Sequence, residues 1–553
     1  MMKNSVSMKT GSFLLIFLLV IAVAFIPVSG FSEDLPDVIH VKEFSIIGNK
    51  AMDTDDIQAC LVDYTDKDYT LEGLKDIADR ITDLYEQEGY GLAKAYIPKQ
   101  AIEDGIVTIA VVEGELGFIE VTDNKYYTSE YVRNWFSHLK RDAVRDQDIE
   151  RAILLVNDTN ALNVTTAFRR GNKPGTADLI VKVEDSYPLN LDLEYSNHGN
   201  PLISRDRFGI NLQAGLSPFS GSEISIRALM GKSFDKTFYG LINYETPIGY
   251  QGAKWGLRYL YADYLVGGDL ESLGIEGESQ ILGGYIKYPF VRTKKHNFYT
   301  TVGFDYKHMF ERVMDVQKSN DDLSVAYLRL DYDVIDRFLG DKMLAKNYVA
   351  LTYSHGFNKV FGSLGNDEED NNSVFKADGK FDKINLDVVR VQKLWKDIIV
   401  LAKGSGQYSE HILTSGEKFS IGGANSVRGK RLGEFVGEKG YLASLEISSS
   451  YPFIWLKNLL MLGKKVSDED VKKTIRAVAF GDHAGVFLVD NGANPEISKN
   501  NSDYLTSIGF GARLYLFDRV DVKFDVGYPL WKGDFNWGDS ITYVQVNYNA
   551  VKF

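Results

Sequence analysis

The chain has 553 residues and a formal net charge of -14, from 62 Lys and Arg against 76 Asp and Glu. At roughly 150 residues per domain that length suggests several domains, and the acidic balance argues against a nucleic-acid binder, which carries a basic face. A single cysteine excludes an intramolecular disulfide and a cysteine-rich zinc module. The 50 Gly, 32 Tyr and 31 Phe, beside only 12 Pro, lean towards a large β body. A mean hydropathy of -0.18 is compatible with a membrane barrel, whose alternating strands average out.

Residues 1–30 read as a signal peptide. Lys3 and Lys9 precede an apolar run over 13–26, Pro27 ends it, and Val28-Ser29-Gly30 offers small residues for cleavage. Met8 is an alternative start. No later stretch is long and apolar enough for a membrane helix, so a membrane location requires a closed barrel. Only residues 31–38 separate the cleavage site from the first strand, so no plug helix is expected there.

Residues 39–47 predict a strand ending at Gly48-Asn49, and Asp53 or Thr54 predicts the cap of a short helix reaching Cys60 and Leu61. Cys60 falls on the apolar side of that helix and is expected to be buried. A second helix is predicted over 71–88, because Leu74, Ile77, Ala78, Ile81, Leu84 and Tyr85 recur at helical spacing. Strands over 92–97 and 105–113 follow. The same order then repeats: a strand over 118–122, helices over 128–139 and 147–156 with Thr128 capping the first, and strands over 162–169 and 177–184.

The run Phe44-Ser45-Ile46-Ile47-Gly48-Asn49, with Ile81-Thr82-Asp83-Leu84-Tyr85, Gly89-Tyr90, Ala95-Tyr96-Ile97-Pro98-Lys99-Gln100, Asp104-Gly105 and Val112-Glu113-Gly114, resembles the first POTRA domain of two-partner secretion transporters. This assigns 38–115 to a first POTRA domain and, by pattern, 116–186 to a second.

From Leu189 the period changes to two. Val520, Val522, Phe524 and Val526 alternate with Asp521, Lys523, Asp525 and Gly527, which suits lipid on one side and a wet lumen on the other. Short connections alternate with long polar ones near 266–277, 358–380, 409–440 and 490–503. The fold class expected is therefore mainly β: two small α/β POTRA domains before a sixteen-stranded antiparallel transmembrane β-barrel over 187–553. The connection 457–473 is long although it falls on the short-turn side, and Ser467 could cap a helix there. By the resemblance, the terminal Phe553 is an outer-membrane assembly signal. The polar Asn547 and Asn549 fall in its phase, which predicts a bulge near Asn549.

Between two strands lies Ile421-Gly422-Gly423-Ala424-Asn425-Ser426-Val427-Arg428-Gly429, which resembles the sixth outer-loop motif of the same superfamily. Lys430 stands where relatives carry an aromatic. The resemblance implies a lumen-facing partner motif, here Phe480 and Asp482, with the loop folded inward so that Arg428 meets Asp482. The residue types suit this. Gly422, Gly423 and Gly429 allow positive φ and close backbone approach, Val427 can pack, and a guanidinium can fork onto a carboxylate.

The resemblance implies an outer-membrane translocation pore with periplasmic POTRA domains. It would secrete a large partner exoprotein from periplasm to cell surface without ATP, capturing it at an exposed sheet edge. The partners expected are that client, outer-membrane lipids and the barrel-assembly machinery, with no nucleic acid. A barrel-assembly insertase of the same superfamily and a passive porin or adhesin are the alternatives. No catalytic motif, cofactor fingerprint or metal-ligating cluster is present in the sequence, so no enzyme activity, cofactor or metal is expected. His483, beside Asp482, is read as a lumen-facing bystander, and the acidic run 367–370 as a solvated loop.

Overall fold

The computed structural model describes residues 38–140, 143–216, 220–233, 236–365, 372–395, 397–459, 467–490, 501–531, 534–535 and 539–551. The signal peptide, the expected absence of a plug helix, the acidic run 367–370 and Phe553 all lie outside these residues. The chain forms two compact units: residues up to Thr82 with Ala95–Val111, and Asp83–Lys94 with everything from Val112 on.

In the first unit, β1 (Ile39–Val41) pairs antiparallel with β3 (Lys67–Tyr69). β2 (Glu43–Ile47), β5 (Ile106–Val112) and β4 (Lys94–Tyr96) form a sheet in the order β2-β5-β4. The strand expected over 39–47 is thus two strands. The chain changes partner at Lys42, whose N–H donates to the Gly105 carbonyl at 2.8 Å. α1 (Thr54–Ala59) and α2 (Leu71–Gln87) supply the helices. Leu74, Ile77, Ala78 and Ile81 of α2 are buried with Phe44, Ile57, Val107 and Ile109. Each such Leu or Ile contributes about 1.5–3 kcal/mol by leaving water. Cys60 is exposed, contrary to expectation. α1 ends at Ala59, and Ile57 and Leu61 take the buried side.

The second unit begins with another α/β module, a sheet in the order β6-β8-β7 formed by β6 (Glu115–Thr122), β8 (Thr176–Asp185) and β7 (Leu162–Arg170). The helix expected over 128–139 is two pieces, α3 (Ser129–Asn134) and a 3-10 turn over Ser137–Lys140, and α4 (Asp146–Asn157) follows. The Thr128 hydroxyl accepts from the Tyr131 N–H at 3.1 Å, as its capping position predicts. Ile119, Val132, Trp135, Phe136, Ala152, Leu179 and Val181 make one apolar cluster between helices and sheet.

Sixteen strands then run from β9 (Leu189–Ser196) to the last, Ile541–Val551, each antiparallel to its neighbours, and the first pairs with the last to close the ring. A two-residue ribbon, Asp534–Phe535, extends the final hairpin. The register slips between Asn549 and Val551, where a bulge was expected. Alternation sorts the side chains. On the strand Lys439–Ser449, Ala443, Leu445 and Ile447 are exposed on the outer face, while Ser444 and Glu446 point into the ring.

The α/β end of the ring is tied to the second module. Tyr250, in a short turn, packs edge-on against Tyr131 and Trp135, and Arg292 forks onto Asp158 at 2.8 and 2.6 Å. At the opposite end the strands His296–Val313 and Val316–Asp336 overshoot their neighbours. Segments of two outer loops fold over them. Leu323, Val325, Leu364, Phe381 and Leu413 cluster there, and the buried Glu417 is held between Lys307 and Lys383. Burial alone would push Glu417 up, but the two ammonium groups overcome it and hold its carboxyl down at about 2.

Candidate functional site: an arginine locked to the barrel wall

The loop that follows the strand Ile399–Tyr408 forms a short ribbon, Phe419–Ile421 against Phe435–Gly437, and between its arms the chain turns into the ring. The turn is possible because Gly422, Gly423 and Gly429 have φ of +105°, +96° and +92°, where an L side chain is strained. Ile421 and Val427 anchor it, fully buried against Ala484, Val486 and Leu505 on the wall.

Arg428 sits at the tip. Its Nε donates to Asp482 Oδ2 at 2.9 Å and its Nη2 to Oδ1 at 3.0 Å, and its backbone N–H also donates to Oδ2 at 3.1 Å. The Ser444 hydroxyl donates to Oδ1 at 2.7 Å. Asp482 therefore has every lone pair engaged, and the pair is buried, with exposures of 6% for Arg428 and 2% for Asp482. The guanidinium carbon lies 3.4 Å from the centroid of the Phe480 ring, so a cation–π contact backs the fork. Gly422, Gly423, Val427, Arg428, Gly429, Phe480 and Asp482 thus come together as one site.

Several partners escaped the sequence. Arg428 Nη1 also donates to Glu446 Oε2 at 3.0 Å and Asp525 Oδ2 at 3.4 Å. Arg513 bridges the same two carboxylates, at 3.1 Å to Glu446 and 2.6 Å to Asp525 Oδ1. Two cations and three anions form one network across four strands. Tyr543, from the last strand, accepts from the Gly429 N–H at 3.1 Å and donates to the Lys430 carbonyl at 3.0 Å. Two glycines make room. A Cβ on Gly509 would meet the Phe480 ring at 2.2 Å, and one on Gly527 would meet the Arg428 carbonyl carbon at 2.5 Å. The signal for Glu446 and Asp525 was their inward phase, but alternation does not say which inward carboxylate lies at the height of the loop tip.

His483 is not lumen-facing. Successive strand residues face opposite sides, so with Asp482 inward His483 stands outside, bonded to the Tyr441 hydroxyl at 2.9 Å and Thr506 Oγ1 at 2.8 Å.

Comparison with known proteins matches this architecture. Residues 39–114 fit a POTRA domain of the ShlB type, and residues 175–462 fit the family described as haemolysin secretion/activation protein ShlB/FhaC/HecB. The heme/hemopexin transporter protein HuxB of Haemophilus influenzae is 26% identical over 485 residues, 82% of this chain and 83% of the relative. Among solved structures, CdiB from Escherichia coli superposes with a TM-score of 0.72 at 17% identity, covering 95% of this chain and 93% of that one. BamA from Haemophilus ducreyi lacking POTRA domains 1–3 reaches 0.52 at 15% identity, covering 92% of this chain and 100% of that one. The protein is an outer-membrane pore of two-partner secretion, its POTRA domains periplasmic and its work the export of a partner protein. The chain belongs to the haemolysin secretion/activation protein family ShlB/FhaC/HecB.

Proposed function

We propose that the Arg428 loop is the gate of this pore, and that the exported client is captured in extended form at the free edge of β7. The observation that carries the gate is the bidentate Arg428–Asp482 pair, buried inside a ring whose lumen is the export path. A loop held by seven donor–acceptor contacts to the wall and one aromatic face is a discrete latch, with an engaged and a released state. The lone gate residue does not carry it: Glu446 and Asp525 hold the guanidinium from the far side.

Capture rests on topology. β7 has nine residues and pairs only with β8 among the described residues, and its second half, from Ala167 to Arg170, is exposed. A client strand added there gains main-chain hydrogen bonds with loose side-chain demands. Directionality then comes from folding of the client outside the cell.

The test is secreted client per folded transporter. Arg428→Ala is expected to assemble its barrel, since the strand ladder carries that, and to lose most secretion, with Asp482→Ala matching it. Arg428→Lys keeps the charge without the fork and should fall between. If Asp482→Ala secretes normally while Arg428→Ala does not, the gate acts through another group and the latch as drawn is wrong.

A further inference from the structure

The connection after the strand Lys439–Ser449 is built unlike the other turns at the periplasmic end. It holds α5 (Tyr451–Leu459) and α6 (Asp468–Thr474). Ser467 caps α6 by accepting from the Asp470 N–H at 3.0 Å. At about 100° per residue, Tyr451, Pro452, Trp455 and Leu456 share one arc of α5, and all four are exposed, Trp455 by 66%. The buried arc carries Ile454 and, unusually, the charged Lys457, which pairs with Asp468 of α6. The polarity is reversed relative to a helix packed on a water-soluble core. The cation is tucked in, and the face turned outward has no charge.

We propose that α5 lies in the interface of the periplasmic leaflet, with Tyr451, Trp455 and Leu456 seated against outer-membrane phospholipid. Three observations point to lipid as the occupant. First, the surface is continuous with the lipid-facing wall. Leu445 and Ile447 are exposed on the outer face of the strand that leads into α5. From Ile447 to the strand end at Ser449 is about 7 Å at 3.3 Å per residue, one step from the hydrocarbon edge towards the headgroups. Second, the composition is that of an interfacial anchor, a Trp and a Tyr beside a Leu. Third, the helix is fixed at that height. Asp397 accepts from the Ser450 N–H at 2.9 Å and from Arg476 at 3.0 Å, joining the start of α5 and the strand after α6 to the neighbouring turn. That turn carries Trp395, itself 58% exposed.

The experiment uses the full chain refolded into phosphatidylcholine vesicles, with Cys60→Ser removing the native thiol. An environment-sensitive fluorophore is placed through Trp455→Cys, through Leu456→Cys, and through Lys473→Cys as the water-facing reference. Heat-modifiable migration on a gel selects folded protein, and Leu456→Cys carries the reading if Trp455→Cys does not fold. The 455 and 456 labels are expected to emit to the blue of the 473 label. They should resist iodide and be quenched by phospholipid bearing a nitroxide near the headgroup more than by one bearing it at the chain end. Labels open to iodide would place the face in water and overturn the proposal. Labels closed to iodide yet untouched by either nitroxide lipid would mean that protein covers α5, a second copy included, and would overturn it equally.

Discussion

The second POTRA domain and the barrel are both strands with a period of two, yet they put opposite chemistry inside. In the POTRA domain Ile119, Phe136, Leu179 and Val181 are sealed between helices and sheet. In the barrel the sealed residues include Arg428, Asp482, Glu417 and Asp525, and the exposed ones are Leu445, Ile447, Leu282 and Phe290. The same alternation serves both because the solvent has changed. Water surrounds the first and fills the second, so an apolar residue leaves water by going inward in one and outward in the other.

This inversion can be attacked from either side. The largest effect is expected inside the POTRA core. Phe136→Ala empties a ring site in a fully packed cluster and should cost about 3–5 kcal/mol. Pulse proteolysis of the full chain in urea reads it, as early cleavage of the periplasmic part with the barrel intact. Next comes the outer wall. Leu445→Arg, a few ångströms inside the hydrocarbon edge, should cost about 1–2 kcal/mol, between the interfacial and mid-plane limits, seen as a lower folded fraction in vesicles. The same substitution on a POTRA surface position would cost little.

A smaller effect is expected at Glu417, where a charged interior is held by neighbours of opposite sign. Its folded carboxyl titrates near 2, below its ordinary value of 4.5. The stabilisation it lends the outer loops is therefore complete above about pH 4.5 and lost as pH falls towards about 2. Pepsin cleavage of the 409–418 segment should rise across that window, and Glu417→Gln should flatten the dependence. The smallest effect is expected at the joint between the two regions. Arg292→Ala breaks a fork on Asp158 that is partly open to water, so it should cost at most about 1 kcal/mol. The Tyr250 contact with Tyr131 and Trp135 should keep the domains together, measured by carbodiimide crosslinking of Glu150 to Lys294, which stand 3.6 Å apart across the same joint.

Much of this was legible in the sequence because it is local or periodic. The helix over Leu71–Gln87, the Thr128 and Ser467 caps and the bulge at Asn549 follow from residue type and spacing over a few positions. The Arg428–Asp482 contact was legible only through the resemblance, since 54 residues separate the pair. What stayed hidden depends on register around the ring. Arg513 and Asp525 are ordinary inward charges until pairing of their strands sets them beside the loop tip. Cys60 was misread because the helix ends at Ala59, two residues short of Leu61, and Ile57 and Leu61 take the buried side. The strand over 39–47 was read as one although Ile39 and Val41 are out of phase with Phe44 and Ile46, and the charged pair Lys42-Glu43 between them marks the change of partner.

Ring closure has a consequence for anything that moves through the lumen. With the first strand paired to the last, every strand of the wall has a neighbour on both sides. Within the closed part of the ring the main-chain donors and acceptors of the wall are spent on one another, and an extended polypeptide sliding past that wall meets its side chains. Such a wall is a low-friction one, because among its described strands the closed ring offers no edge on which the traveller could zip into a sheet and stall. Among the described residues β7, outside the ring, does present an open edge, so the open edge and the closed wall are separate parts of the molecule.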